Sequence, residues 1–144
     1  MKKEIIYGER TRKVVGETVG PLSHGVKVTG AGSLIFISGQ VSYVNDKLVG
    51  EGDVAAQYKQ IMENMKAILE DAGASMNNIV KLVHYMTTKS ELGLGTTLDD
   101  VYPQLKAIRK QYITKDFPVS TMIEVYASMI PGALIEADAI AVTA

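Results

Sequence analysis

This sequence predicts an α+β fold: a six-stranded sheet with two helices layered on one face. Three observations carry that expectation. Apolar residues recur at helical spacing in two segments only. Short β-branched or alternating segments recur before, between and after those two. Two helices of similar length cannot cover both faces of six strands, so one helical layer on one sheet is the economical arrangement.

Lys3–Tyr7 and Val26–Thr29 read as short strands on either side of the loop Gly20-Pro21-Leu22-Ser23-His24-Gly25, which glycine and proline bound. Ser33–Val41 is a third strand, and its run Leu34-Ile35-Phe36-Ile37 predicts burial on both faces. It enters Ser38-Gly39-Gln40, where a glycine lets a backbone or a ligand come close. Asp53 to Ala72 is the clearest helix, with Val54, Tyr58, Ile61, Met62, Met65, Ile68, Leu69 and Ala72 forming its apolar stripe. Asp53 suits its N-cap and Gly73 a left-handed C-terminal cap.

Ile79–Thr87 follows as a strand, with Val80, Leu82, His84 and Met86 on one face. After a loop over Lys89–Thr97, a second helix runs from about Asp100 to Tyr112. Pro103 sets its start near Asp99 or Asp100, because only first-turn amides lack helical acceptors. Val119–Tyr126 and Ala133–Val142 are the last strands, joined around Pro131-Gly132. The sheet face away from the helices includes Met122, Tyr126, Ile140 and Val142. That apolar set predicts cover by a partner, and so a closed homo-oligomer.

Composition narrows the function classes. At 144 residues without repeats or linker-like stretches, 1–144 reads as a single domain. A net charge of −1 leaves no electrostatic footprint for DNA or an anionic membrane. The sequence contains no cysteine, which excludes disulfides, thiolate nucleophiles and thiolate metal sites. No apolar run exceeds the four residues of Leu34 to Ile37, too short to span a bilayer, and the start lacks a signal-peptide core, so a cytoplasmic protein is expected.

Most motifs read as structural. His24 and His84 are the two histidines, sixty positions apart and without clustered carboxylates, so no metal or cofactor is expected. His84 on an apolar strand face reads as a satisfied core histidine, and His24 as a turn or pocket-wall residue. Gly93-Leu94-Gly95 lacks the lysine of a phosphate loop, and Ser38 and Ser120 lack a nucleophile elbow. Asp99-Asp100 is explained by the helix dipole. Glu136 and Asp138, two apart on an apolar strand, share one face. Paired carboxylates there are either solvated or kept for chemistry.

Several of these pieces together resemble the YjgF/RidA family of small enamine/imine deaminases, also known as L-PSP endoribonucleases. The matching stretches are Gly20 to Val26, Ser38-Gly39-Gln40, Gln57 to Gly73, Ile79-Val80-Lys81, Ser120-Thr121 and Pro131 to Ala141, in the family's order along almost the whole chain. The resemblance implies a chorismate-mutase-like α+β fold, a homotrimer, and a small-molecule pocket at each subunit interface. It implies hydrolysis of reactive imines or enamines to a carbonyl compound and ammonia. It places Glu136 as the catalytic, water-positioning glutamate, Ser38 and Gly39 at the pocket floor, and Thr121 in the pocket.

Two positions depart from the family's pattern. The carboxylate-binding arginine falls on Val119, within Phe117-Pro118-Val119-Ser120-Thr121, and the pocket tyrosine falls on Leu22. A bidentate arginine supplies charge and two directed bonds to a carboxylate; valine supplies neither. The expectation is therefore a divergent deaminase with an atypical substrate, unless Lys81 or Lys115 replaces the clamp. The alternative is a non-catalytic homotrimer that binds a small metabolite. A ribonuclease is disfavoured by the neutral charge, the lack of a histidine pair and the absence of aromatic-basic interleaving, so no RNA partner is expected.

Overall fold

The computed structural model describes residues 1–6, 9, 14, 23–87 and 98–144. Among them, β1 (Lys2–Ile6), β2 (Gly25–Thr29), β3 (Ser33–Gln40), β4 (Tyr43–Val44) and β5 (Lys47–Leu48) precede α1 (Val54–Asp71). Then come β6 (Ile79–Thr87), α2 (Leu98–Tyr112), β7 (Val119–Val125) and β8 (Ile135–Thr143). The expected Lys89–Thr97 loop and Leu22 lie outside the described residues.

Four strands form one mixed sheet in the order β3-β8-β6-β7. β8 runs antiparallel to both neighbours, whereas β6 and β7 are parallel. A parallel pair cannot be joined by a tight turn, and the crossover here contains α2. β1 and β2 pair as a separate antiparallel ribbon, linked to the sheet's edge by a parallel bridge between Ser23 and Val119. The six expected strands are present, but hydrogen bonding divides them four and two instead of building one six-stranded sheet. The β4–β5 hairpin is an addition. It turns on Asn45 and Asp46 at φ of 49° and 62°, the left-handed pair that a two-residue hairpin needs.

Both helices pack on the same sheet face. α1 contributes Tyr58, Ile61, Met62, Met65 and Leu69 to the core, and α2 contributes Val101 and Leu105. They meet Ile37 of β3, Leu82 and Met86 of β6, and Ala137, Ala139 and Ala141 of β8. α1 is closed at both ends as its sequence predicts. The Asp53 carboxylate accepts from the Ala56 amide at 2.9 Å. Past the end, Gly73 at φ 71° lets its own amide reach Glu70 and the Ala74 amide reach Leu69. α2 starts at Leu98, one or two residues earlier than Pro103 suggested, so Pro103 lies inside the helix and the Asp99 carbonyl forgoes its amide partner.

Two strand faces need correction. β3 is an edge strand with one face open: Leu34 is 60% and Phe36 71% exposed, so its apolar run is not buried on both sides. Met122 packs against the core on the helix side and so does not belong to the open face, whereas Val142 pairs with Leu34 on that face but is buried. The exposed apolar residues there are Leu34, Phe36 and Ile123, with Tyr126 exposed just beyond β7.

His84 is a buried core histidine with both nitrogens engaged. Nδ1 lies 3.1 Å from the Thr121 carbonyl, which can only accept, so Nδ1 carries the proton. Nε2 is then an acceptor, and the Tyr58 hydroxyl donates to it at 2.9 Å. This link joins α1 to β6 and β7. Burial, aided by the nearby Arg109 charge, lowers the His84 pKa to about 4; burial raises Tyr58 to about 12. In the unfolded chain His84 titrates near 6.5. Above that pH both states are neutral and its contribution is fully present. As the pH falls from 6.5 towards 4, the unfolded chain gains a proton the folded one refuses, and stability drops by on the order of 3 kcal/mol. Urea midpoints measured across this window are expected to fall in the parent and to fall less in His84→Asn. Parallel profiles for the two proteins would contradict the assignment.

Candidate functional site

The site is built where β3 breaks its pairing with β8. Ile37 pairs with Ala139 and Gln40 with Ala137, so Ser38 and Gly39 together stand opposite Asp138 alone. Such a bulge takes backbone groups out of the ladder and re-aims them. The Gln40 side chain folds back and donates through Nε2 to the Ser38 carbonyl at 3.1 Å. Glu136 occupies the space above Gly39. A Cβ at residue 39 would collide with the Glu136 Oε1 and lie 2.9 Å from its Cδ. Any side chain at residue 39 would have to push the Glu136 carboxylate out of this seat.

Two amide side chains of α1 hold the surrounding chain. Gln57, fully buried, donates to the Gly132 carbonyl at 2.9 Å and accepts from the Leu134 amide at 2.8 Å, setting the entry to β8 two residues before Glu136. Asn64 donates to the Val41 and Tyr43 carbonyls at 3.1 and 3.0 Å, which fixes the exit from the bulge. Each replaces a backbone partner that the loop would otherwise lack.

Glu136 separates two concavities. One, of about 280 Å³, includes Gly39, Tyr85, Val125, Met129, Glu136 and Asp138 in its wall. The other, of about 420 Å³, includes Gly39, Gln40, Tyr43, Met129 and Glu136. Tyr85 pairs directly with Glu136 across β6 and β8, and its hydroxyl donates to Asp138 Oδ2 at 3.0 Å. That bond, with the charges of Asp138 and Glu136 beside it, holds the phenol above its ordinary pKa. Met129 is 96% exposed although it lines both spaces.

Cross-strand register gives the positions of the other sequence-named residues. Three rows run across the open sheet face: Glu136-Tyr85-Ile123, then Asp138-Val83-Thr121, then Ile140-Lys81-Val119. Glu136, Asp138, Thr121 and Val119 therefore share one face. Gly39 meets Glu136 directly and Ser38 adjoins it. Thr121 and Val119 do not line either concavity. Val119 lies two strands across and four residues along from Glu136, roughly 13 Å in the strand direction alone. Leu22 is outside the described residues. Lys81 is the immediate cross-strand neighbour of Val119, whereas Lys115 lines a separate concavity with Lys3 and Asp116.

Behind Thr121, on the helix side, Arg109 is buried and donates through Nη1 to Ser120 Oγ at 2.9 Å; its Nε has no hydrogen-bond partner among the described residues. Sequence reasoning did not single out Tyr85, Gln57 or Arg109. A signal existed for Tyr85, since with His84 turned inward the alternation of β6 must turn its neighbour outward. For Gln57, a polar residue one position before the stripe residue Tyr58, no local pattern marks burial. No described group of three or more histidine, aspartate and glutamate residues could hold a metal ion. No described helix is long and apolar enough to cross a membrane.

Residues 14–143 match the family model described as endoribonuclease L-PSP. A RutC family protein of Pyrococcus abyssi is 37% identical over 145 residues, covering 98% of each chain. The human 2-iminobutanoate/2-iminopropanoate deaminase is 32% identical over 134 residues, covering 92% of this chain and 86% of its own. Among solved structures, a Rid family protein of unknown function from Yersinia pestis superposes with a TM-score of 0.75 at 29% identity, over 99% of this chain and 100% of its own.

Gly39→Ala tests the seat of Glu136. The methyl must displace the carboxylate, so ligand binding at the site is expected to weaken severely while the circular dichroism spectrum stays that of the parent. Unchanged ligand affinity in a folded Gly39→Ala would show that the Glu136 position is not held by this contact.

Proposed function

The chain belongs to the YjgF/RidA family, and on that premise we propose that it hydrolyses a reactive imine or enamine to a carbonyl compound and ammonia. One observation carries the reading: Glu136 is seated on the glycine bulge at a cavity wall, in a chain whose human relative is named a 2-iminobutanoate/2-iminopropanoate deaminase. The reaction consumes water and moves protons. Water adds to the carbon of the protonated C=N as one of its protons passes to a base. The carbinolamine nitrogen takes that proton and leaves as ammonia while the carbinolamine hydroxyl releases its own proton, forming the carbonyl. A carboxylate beside the reacting carbon serves both transfers. Glu136 is that group. Backbone atoms of the Ser38-Gly39 bulge, freed from the ladder, orient the substrate.

The working form proposed is a homotrimer. The open sheet face with exposed Leu34, Phe36 and Ile123 supports burial against copies of the chain. Assembly also answers the separation of Val119 and Thr121 from Glu136. In a closed ring, the β7 face of one copy meets the Glu136 concavity of the next, so each site draws on two chains. Val119 brings no charge to it, which supports a substrate other than a free 2-imino acid. The same valine favours the second reading, a trimer that binds a small metabolite without turning it over.

Imines generated in situ by an amine oxidase or an amino-acid oxidase, followed by ammonia release, separate these readings. Glu136→Gln is expected to lower turnover by about 10²-fold or more. Full activity in that variant would remove Glu136 from the chemistry, and no turnover by the parent on any imine would favour the binding protein. Val119→Arg is expected to gain activity on 2-imino acids that the parent handles poorly. A folded variant with no gain would mean that residue 119 does not face the substrate carboxylate.

A further inference from the structure

We propose that the concavity beside Glu136 selects a cationic ligand, a protonated imine or amine that carries no carboxylate. This rests on the functional reading above and narrows its substrate class. The charged side chains in the wall of the 280 Å³ space are Glu136 and Asp138, both carboxylates, and no described lysine or arginine lines it. Tyr85 commits its single proton to Asp138, so any further partner meets the phenol oxygen as an acceptor. Three groups on one wall therefore offer acceptors, the complement of a nitrogen cation with several N–H donors.

The rest of the wall is largely apolar, with Val125, Met129 and Ile135. The two carboxylates attract a cation and repel an anion. The hydrogen bond to Asp138, with the charges of Asp138 and Glu136, holds the Tyr85 phenol above its ordinary pKa. Lys81 shares the sheet face but sits two rows from Glu136, beside Val119. Charge balances through the reaction: an iminium cation and water become a neutral carbonyl compound and an ammonium ion. A site that favours cations accommodates both the entering and the leaving species.

Titration calorimetry with n-butylammonium and with butyrate compares the two charges on ligands of the same carbon number. Neither ligand reacts, so this result stands apart from the hydrolysis assay. Butylammonium is expected to bind the parent at least about tenfold more tightly than butyrate. Asp138→Asn is expected to weaken it by about tenfold, corresponding to the loss of one charged hydrogen bond. Glu136→Gln provides the same reading if Asp138→Asn does not fold. Equal or tighter binding of butyrate, no measurable binding of butylammonium, or undiminished butylammonium affinity in both folded carboxylate variants would overturn the proposal.

Discussion

The alternation of β8 is the constraint on which the rest of the structure depends. Ala137, Ala139 and Ala141 point into the core with almost no exposure, and Glu136 and Asp138 point to the open face. Small inward residues let α1 lie close over the centre of the sheet, where Tyr58, Met62 and Met65 fill the remaining depth. A slip of one residue would turn two carboxylates into that core, at a cost no packing gain could offset. β8 is also the only strand of the four-stranded sheet hydrogen-bonded to both β3 and β6, so its register sets where the bulge and Tyr85 fall.

Around that strand, polar side chains from the helical layer determine where the site's backbone goes. Gln57 ties the entry to β8, Asn64 ties the exit from the bulge, and Tyr58 with His84 binds α1 to β6 and β7. All three lie on one helix, so the packing of α1 and the geometry of the site are coupled. A rigid element behind a site holds reacting groups more closely than a loop would. The functional reading gains from this: Glu136 stands on a strand whose position is set on both sides, beside a glycine that leaves it room.

Much of the fold was legible in the sequence because its signals are local. The stripe of α1, its Asp53 cap and its Gly73 stop each depend on residues within one or two turns, and all three hold in the structure. Ile79–Thr87 was readable for the same reason. The candidate site was legible in part. Glu136, Ser38 and Gly39 stood out, but the close contact between Gly39 and the Glu136 carboxylate joins residues ninety-seven positions apart in sequence. The apolar run of β3 misled, because a strand at a sheet edge and one at its centre carry the same residues until neighbours are known.

By itself the sequence determined the order and type of the main elements, the charge class of the protein and the family it resembles. The first two follow from spacing and composition along the chain, and the resemblance from short motifs in the family's order. Only the tertiary structure decided that six strands divide into a sheet of four and a ribbon of two, and that Met122 faces the helices. It alone set Tyr85 against Asp138 and Glu136, and placed Val119 two rows from Glu136 beside Lys81. Those outcomes depend on cross-strand register. Register is a relation between distant segments, chosen by which faces can be buried together, and no local period encodes it.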